Sequence, residues 1–289
     1  MLTLKIFLKQ NLPFIYKYLR LFLFKGYLFY RKIKIKKLTK KTTGSVRLGS
    51  IHFPIVLSKQ NGFVDEEIFW KGCYEEEVLL EIKKQLQPGD TFVDIGANIG
   101  EHTLFAYNIN KQGHVIAFEP IPFIYNQLQE SITLNKASTV TVHNIALGNS
   151  NEQKTITVNK NNAGGSSVVT TGDKDDQLTI TIKKGDEYLL DEDRINLIKI
   201  DTEGYEYEVL LGIEKTITKH RPKLIIEFSP YFYNLHETTK EHGNLILTFL
   251  EKHHYAIEGI DLPLPKKTTN LSSAVHTVTD QINLLCTPL

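Results

Sequence analysis

Cysteine is nearly absent from this sequence. With only Cys73 and Cys286 in 289 residues, the chain cannot build a disulfide framework, and no Cys/His spacing resembles a zinc site. A reducing compartment, and so a cytoplasmic location, is expected. No apolar run of roughly 20 residues exists either, which argues against a membrane-spanning helix. The most hydrophobic stretch is broken by Lys17, Arg20 and Lys25, and it lacks a small-residue cleavage site of the kind a secretory signal needs. Internal repeats are missing. Acidic residues are missing from one region: Met1 to Val64 carries fourteen Lys/Arg and no Asp or Glu, whereas the remainder carries twenty basic and thirty-three acidic residues. A net charge of +1 therefore hides a basic arm, residues 1–64, on an acidic domain, residues 65–289.

The arm is read as helical. On a wheel Lys17, Arg20, Lys25 and Arg31 fall on one side, with Ile15, Phe22 and Leu23 on the other. Leucine and aromatic bodies beneath a Lys/Arg face suit an anionic membrane surface. The arm could therefore place residues 1–41 against the inner surface of a membrane, or pack on its own domain. Nucleic-acid binding is not expected, because no base-reading or base-stacking feature accompanies the charge.

What is present downstream is alternation. Glu75 to Asp90 has Val78, Leu79, Ile82 and Leu86 at helical spacing and is closed by Pro88-Gly89. TFVDIGA reads as a buried strand, followed by a helix from about Gly100. His114 to Pro120 reads as a strand, Phe123 to Asn135 as a helix, and Thr139 to Gly148 as a third strand. KTITVNK and LTITIKK alternate with period two and flank a turn-rich loop, NNAGGSSVVTTGDKDD. Ile195 to Asp201 is a buried strand, followed by a helix through YEYEVLLGIEKTITKH. KLIIEF, a helix over Leu245 to His253, YAIEGID and INLLCTP close the pattern. Strands alternating with helices predict an α/β fold, a mainly parallel sheet with helices on both faces. Ligands of such sheets sit beyond the carboxyl ends of the strands, where the strand order reverses.

Polar residues cluster at those ends: Asp94, Glu119, Asn144, Asp201 and Glu227, with Glu203 just beyond. The turn after the first strand reads Gly96-Ala97-Asn98-Ile99-Gly100. It is shorter than the G-x-G-x-x-G loop of dinucleotide enzymes, holds Asn at its middle and has no P-loop lysine after it. Glu119, 25 residues after Asp94 at the end of the next strand, is placed to accept hydrogen bonds from ribose hydroxyls. A ligand with a ribose and no phosphate fits both features, and S-adenosylmethionine is the commonest such cofactor.

VDIGANIG, AFEP, HNIALGN, GGSS, INLIKIDTEGYEYEVLLGIE and RPKLIIEF occur in this order between about Gly72 and Phe228. This series resembles the FkbM family of S-adenosylmethionine-dependent methyltransferases, and INLLCTP resembles the family's last strand. The resemblance implies the seven-stranded, Rossmann-like class I methyltransferase fold and O-methylation of a sugar, glycan or other small-molecule hydroxyl. It implies that Asp94, Gly96, Asn98 and Gly100 shape the pocket for the methionine part of the cofactor. Glu119, with Pro120 beside it, would hold the ribose, and Asn144 to Ala146 would lie near the adenine. Asp201 and Glu203 would face the acceptor, with the NNAGGSS loop over the site. The arm lies outside the resemblance.

A sugar hydroxyl is a poor nucleophile at neutral pH, so a general base helps. Asp201 is the first choice, with Glu203 or Glu227 assisting and His236 as a second candidate through its pKa near working pH. No metal is assigned, since Asp201 and Glu203 alone do not make a Mg²⁺ site. His102 reads as a structural or pocket-wall residue, and Trp70 and Tyr74 as core aromatics. Tyr231, Phe232 and Tyr233 would line a sugar site or pack in the core. The competing readings are an NAD(P)-dependent oxidoreductase, which the Gly-x-Asn-x-Gly turn disfavours, and a non-catalytic membrane-surface protein that keeps the fold.

Overall fold

Strands buried on both faces should be mostly apolar, and the central ones are, with Asp94, Lys199 and Glu227 as the buried exceptions. In the computed structural model, which describes residues 41–59, 62–158, 177–229, 233, 241–260 and 281–289, five of them run parallel. They are β3 (Thr91–Ile95), β4 (His114–Phe118), β5 (Val140–His143), β9 (Leu197–Ile200) and β10 (Lys223–Phe228). β11 (Tyr255–Gly259) and β12 (Ile282–Pro288) complete a seven-stranded sheet of order β11-β12-β10-β9-β3-β4-β5, with β12 antiparallel to both neighbours. The crossovers pass through helices: α3 (Glu101–Ile109) between β3 and β4, and α4 (Pro122–Asn135) between β4 and β5. α6 (Glu206–Gly212) and α7 (Glu214–His220) lie between β9 and β10, and α8 (His242–Lys252) between β10 and β11. This is the class I methyltransferase strand order that the resemblance implies. The chain departs from β3 toward β4 on one side and returns through β9 on the other, so the order reverses between β3 and β9.

Two departures from the alternation reading have local causes. The segment Thr139 to Gly148 is two strands, β5 and β6 (Ala146–Gly148), parted at Asn144. β6 leaves the main sheet to pair with β8 (Gln177–Lys184), which also holds β7 (Glu152–Thr157). The long helix after Tyr205 is broken at Ile213 into α6 and α7; Ile213 is fully buried and leaves the helical conformation.

The basic arm is not a single helix. β1 (Thr42–Leu48) and β2 (Ile51–Leu57) form an antiparallel hairpin, and β2 packs on α3 and α4. The backbone of Val56 donates to Ser131 Oγ at 2.9 Å and accepts from Gln127 Nε2 at 2.8 Å. Helix α1 (Phe63–Lys71) follows. Its Asp65, fully buried, accepts from the same Gln127 at 2.8 Å. The packed body thus extends back to Thr42: the line at 64/65 marks where acidic residues begin, and packing begins earlier. Residues 1–40, the NNAGGSS loop and Tyr231, Phe232 and His236 lie outside the described residues. α2 (Glu76–Gln85) and α5 (Asp186–Leu189) complete the named elements.

Candidate active site

The reversal point of the sheet is built by close backbone approach. At Gly96, φ is +82°, and a Cβ there would stand 1.8 Å from the carbonyl oxygen of Asp201. Only glycine tolerates both the left-handed conformation and this contact. Asn98 follows at φ +50°, a conformation asparagine tolerates, and its Oδ1 accepts from the Ile99 amide at 2.8 Å. The Gly96 and Ala97 amides both donate to Phe118 O at 3.0 Å. The turn is therefore tied to the end of β4 on one side and touches the end of β9 on the other.

Glu119 fixes the first of these ties. Its Oε2 accepts from the Asn98 amide and its Oε1 from the Ile121 amide, both at 2.9 Å. The side chain is 4% exposed. Burial, only partly offset by those two amides and reinforced by Asp94 and Asp201, pushes its pKa up to about 7. Asn144 supports the same corner from behind: its Nδ2 donates to the carbonyls of Glu119 at 2.8 Å and Pro120 at 3.1 Å.

Beneath the turn lies a charge pair that the sequence did not disclose. Lys199 stands directly opposite Asp94 in the β3–β9 register, and the period-two alternation puts Asp201 on its own face. Lys199 Nζ is 2.8 Å from Asp201 Oδ2 and 4.0 Å from Asp94 Oδ1. Burial alone would lower the lysine pKa; Asp201 and Asp94 more than offset this and hold it above its ordinary value. Asp94, wholly buried, also accepts from Thr103 Oγ1 at 2.6 Å. The signal was one lysine inside the apolar run INLIKID.

The Asp-Thr-Glu-Gly segment after β9 is held in an unusual conformation. Glu203 and Gly204 both have positive φ, +54° and +101°. Glu206, 1% exposed, holds them there: its Oε1 accepts from the amides of Thr202 (2.9 Å) and Gly204 (3.1 Å) and from Thr202 Oγ1 (3.0 Å). Its Oε2 accepts from the Tyr233 hydroxyl at 3.1 Å, which places Tyr233 in the core. Strain at such a position is stored where function uses it.

The glycine turn, the end of β4, the segment after β9 and β10 converge on one cleft of about 940 Å³, open mouth included. Gly96, Asn98, Glu119, Pro120 and Ala146 line it, with Asp201, Glu203 and Glu227 across from them. Apolar walls come from Ile145 just before β6, from Leu147 and Ile156 of the smaller sheet, and from Phe63 and Tyr74 near α1. Asp94, Gly100 and Asn144 do not line it: the first is covered by the turn, the second packs against Leu128, and the third acts from behind. His102 walls a smaller adjoining cavity. Tyr74 is a cleft residue, edge-on to Phe63 at 5.9 Å.

Donor oxygens of Asp201, Glu203 and Glu227 lie within 4.8 Å of one another. Burial, followed by Asp201 and Glu206, raises the Glu203 pKa to about 8. Burial and the facing Asp201, Glu203, Glu206 and Glu75 hold the Glu227 carboxyl well above its usual range, and Gln281 Nε2 donates to its Oε1. This is a cleft rich in carboxyls with one lysine beneath it, suited to a cationic guest.

Residues 94–257, more than half the chain, match the family model of the methyltransferase FkbM domain. Methyltransferase 1 of Beauveria bassiana (strain ARSEF 2860) is 28% identical over 174 residues, 53% of this chain and 67% of that protein. The 31-O-demethyl-FK506 methyltransferase FkbM of Streptomyces tacrolimicus is 36% identical over 76 residues, 26% of this chain and 27% of that one. Among solved structures, methyltransferase FkbM from Methylobacillus flagellatus KT aligns with 19% identity and a TM-score of 0.43, over 78% of this chain and 56% of that one. The chain thus spans about a quarter of one curated relative and two thirds of the other. With the family model covering the glycine turn, the Asp201 segment and β10, the chain belongs to the FkbM methyltransferase family, whose cofactor is S-adenosylmethionine.

Proposed function

We propose that the protein methylates a hydroxyl group of a sugar, glycan or other small molecule. The observation that carries this reading is the convergence of Glu119, Asp201, Glu203 and Glu227 from three separate segments, the ends of β4 and β9 and strand β10, on one cleft. The residues fit the cofactor. Glu119 stands at the end of β4 with each carboxylate oxygen retaining acceptor capacity for a ribose hydroxyl, and Ile121, Ile124 and Ala146 form apolar walls beside it. When bound, S-adenosylmethionine supplies a methyl group on a cationic sulfur.

The chain's own residues then position and deprotonate the acceptor. Holding oxygen and methyl carbon close and in line contributes much of the acceleration. Asp201, first choice from sequence, has one oxygen held by Lys199 at 2.8 Å; its role is to fix the floor of the cleft. Glu203 takes the hydroxyl proton. Its pKa of about 8 suits a general base near neutral pH, and a cation in the cleft lowers it toward working pH. Glu227, which burial favours in its neutral form, orients the acceptor through hydrogen bonds. The proton given up by the acceptor hydroxyl would rest on Glu203, and the bound cofactor would supply the methyl group that takes its place and keep the electron pair of the bond it gives up.

The test is transfer of labelled methyl from S-adenosylmethionine into glycan and small-molecule fractions of the host, with identification of the product. A base-stable methyl ether supports the reading; label confined to amines, or no transfer to any fraction, rejects it.

A further inference from the structure

The smaller cavity, about 290 Å³ with its mouth included, opens off the cleft and shares Val64, Tyr74, Gly96, Asn98 and Asp201 with it. Glu101, His102 and Lys199 complete its polar lining. Glu101 is 2% exposed. Its Oε1 accepts from the Tyr74 amide at 2.9 Å, whereas its Oε2 is buried without a hydrogen-bond partner. The nearby His102 Nε2 is likewise without one and lies 3.6 Å from Glu75 Oε2. A buried carboxylate oxygen with no donor is costly unless a ligand satisfies it.

We propose that this cavity receives the amino-acid end of the cofactor, with Glu101 Oε2 accepting from its α-ammonium group. The proposal rests on the methyltransferase reading and adds to it a residue that the glycine motif does not identify. Glu119 marks the ribose end on one side of the Gly96–Gly100 turn, and Glu101 stands on the other, at the start of α3. A molecule with a nucleoside at one end and an amino acid at the other spans the two cavities. Asp94, which the resemblance assigns to this part of the pocket, lines neither cavity; its Oδ2 accepts from Thr103, and its Oδ1, without a hydrogen bond, faces Lys199 at 4.0 Å rather than a cavity. Burial raises the Glu101 carboxyl well above its usual range, with Glu75 adding to the effect and Lys199 opposing it. A docked ammonium restores its charge.

The test is calorimetric titration of the full chain and its Glu101→Gln variant with three ligands. They are S-adenosylmethionine, its decarboxylated analogue, and 5′-methylthioadenosine, which has no amino-acid end. Glutamine keeps an acceptor for the Tyr74 amide, and methylthioadenosine binding reports that the nucleoside site is folded. The variant is expected to bind S-adenosylmethionine and its decarboxylated analogue about 10- to 100-fold more weakly, in the range of a lost charged hydrogen bond. Methylthioadenosine affinity should stay within about twofold. Unchanged affinity for S-adenosylmethionine overturns the proposal, as does parallel weakening of all three ligands, which makes Glu101 a structural support. If wild-type protein binds none of them, the methyltransferase reading itself fails, an outcome distinct from either.

Discussion

At the scale of single residues, buried carboxyls dominate this protein, and their energetics are testable one at a time. Asp65 is the clearest case away from the cleft. Burial outweighs its hydrogen bonds from Ser58 and Gln127 and raises its pKa to about 6. The folded state thus holds a proton that the unfolded chain releases near pH 4, so stability is lost as pH rises from about 4 to 6 and is level above. Asp65→Asn removes this penalty while keeping Oδ1 as acceptor for both partners. The melting temperature of the variant should gain on wild type across that window and run parallel above pH 6, as read by a pH series of thermal melts. In the cleft, Glu203→Gln is expected to lower the methyl-transfer rate by about 100-fold or more, the scale of a lost general base. Cofactor affinity measured by calorimetry should change little. The glycine turn and Glu119 were legible in the sequence because positive φ and a carboxylate at a strand end leave residue-specific marks. Lys199, Glu206 and Glu101 were not. Each is an ordinary residue type whose meaning comes from a partner on another element or from a cavity that forms only on folding.

At the scale of elements, β6, β7 and β8 form a small sheet that supplies Ala146, Leu147 and Ile156 to the cleft wall. Its anchor is the approach of α6 to β6, where a Cβ on Gly212 would stand 1.9 Å from Gly148 O. Gly212→Ala should therefore cost roughly 2–4 kcal/mol, the range of strong overpacking and backbone strain, in urea unfolding followed by fluorescence. Protease cleavage within 149–158 should become faster as the sheet loosens. Period and apolarity disclosed the parallel strands and their crossover helices almost intact. They did not separate β5 from β6, since an apolar stretch does not record which sheet each half joins. Nor did they find the β1–β2 hairpin, which has Arg47 as its one Lys or Arg and groups with the basic arm only because it lacks acidic residues; Ser131 and Gln127 hold it to the domain.

At the scale of the whole molecule, the cofactor and the fold are linked. A ligand present at 100 times its Kd stabilises the folded state by about 2.7 kcal/mol, which for a domain of this size is a rise in melting temperature of roughly 5–10 °C. S-adenosylmethionine should produce such a shift, and NAD at equal concentration should produce none. Among the described residues no helix is long and apolar enough to cross a membrane. The proposed contact of residues 1–41 with an anionic surface is checked by co-sedimentation with phosphatidylserine vesicles. Binding should disappear on deletion of those residues, and equal pelleting of both proteins would reject the contact.

Lys199 is the one buried lysine or arginine among the described residues, and its strand cannot swing it aside to answer a change in the crevice above. Methyl transfer turns a sulfonium into an uncharged thioether at that spot. The acidic walls that draw the cofactor in therefore lose their counter-ion at the moment of reaction. Spent cofactor keeps the charge of its amino-acid end but not that of its sulfur, so S-adenosylhomocysteine should be held less tightly than S-adenosylmethionine in a direct calorimetric comparison.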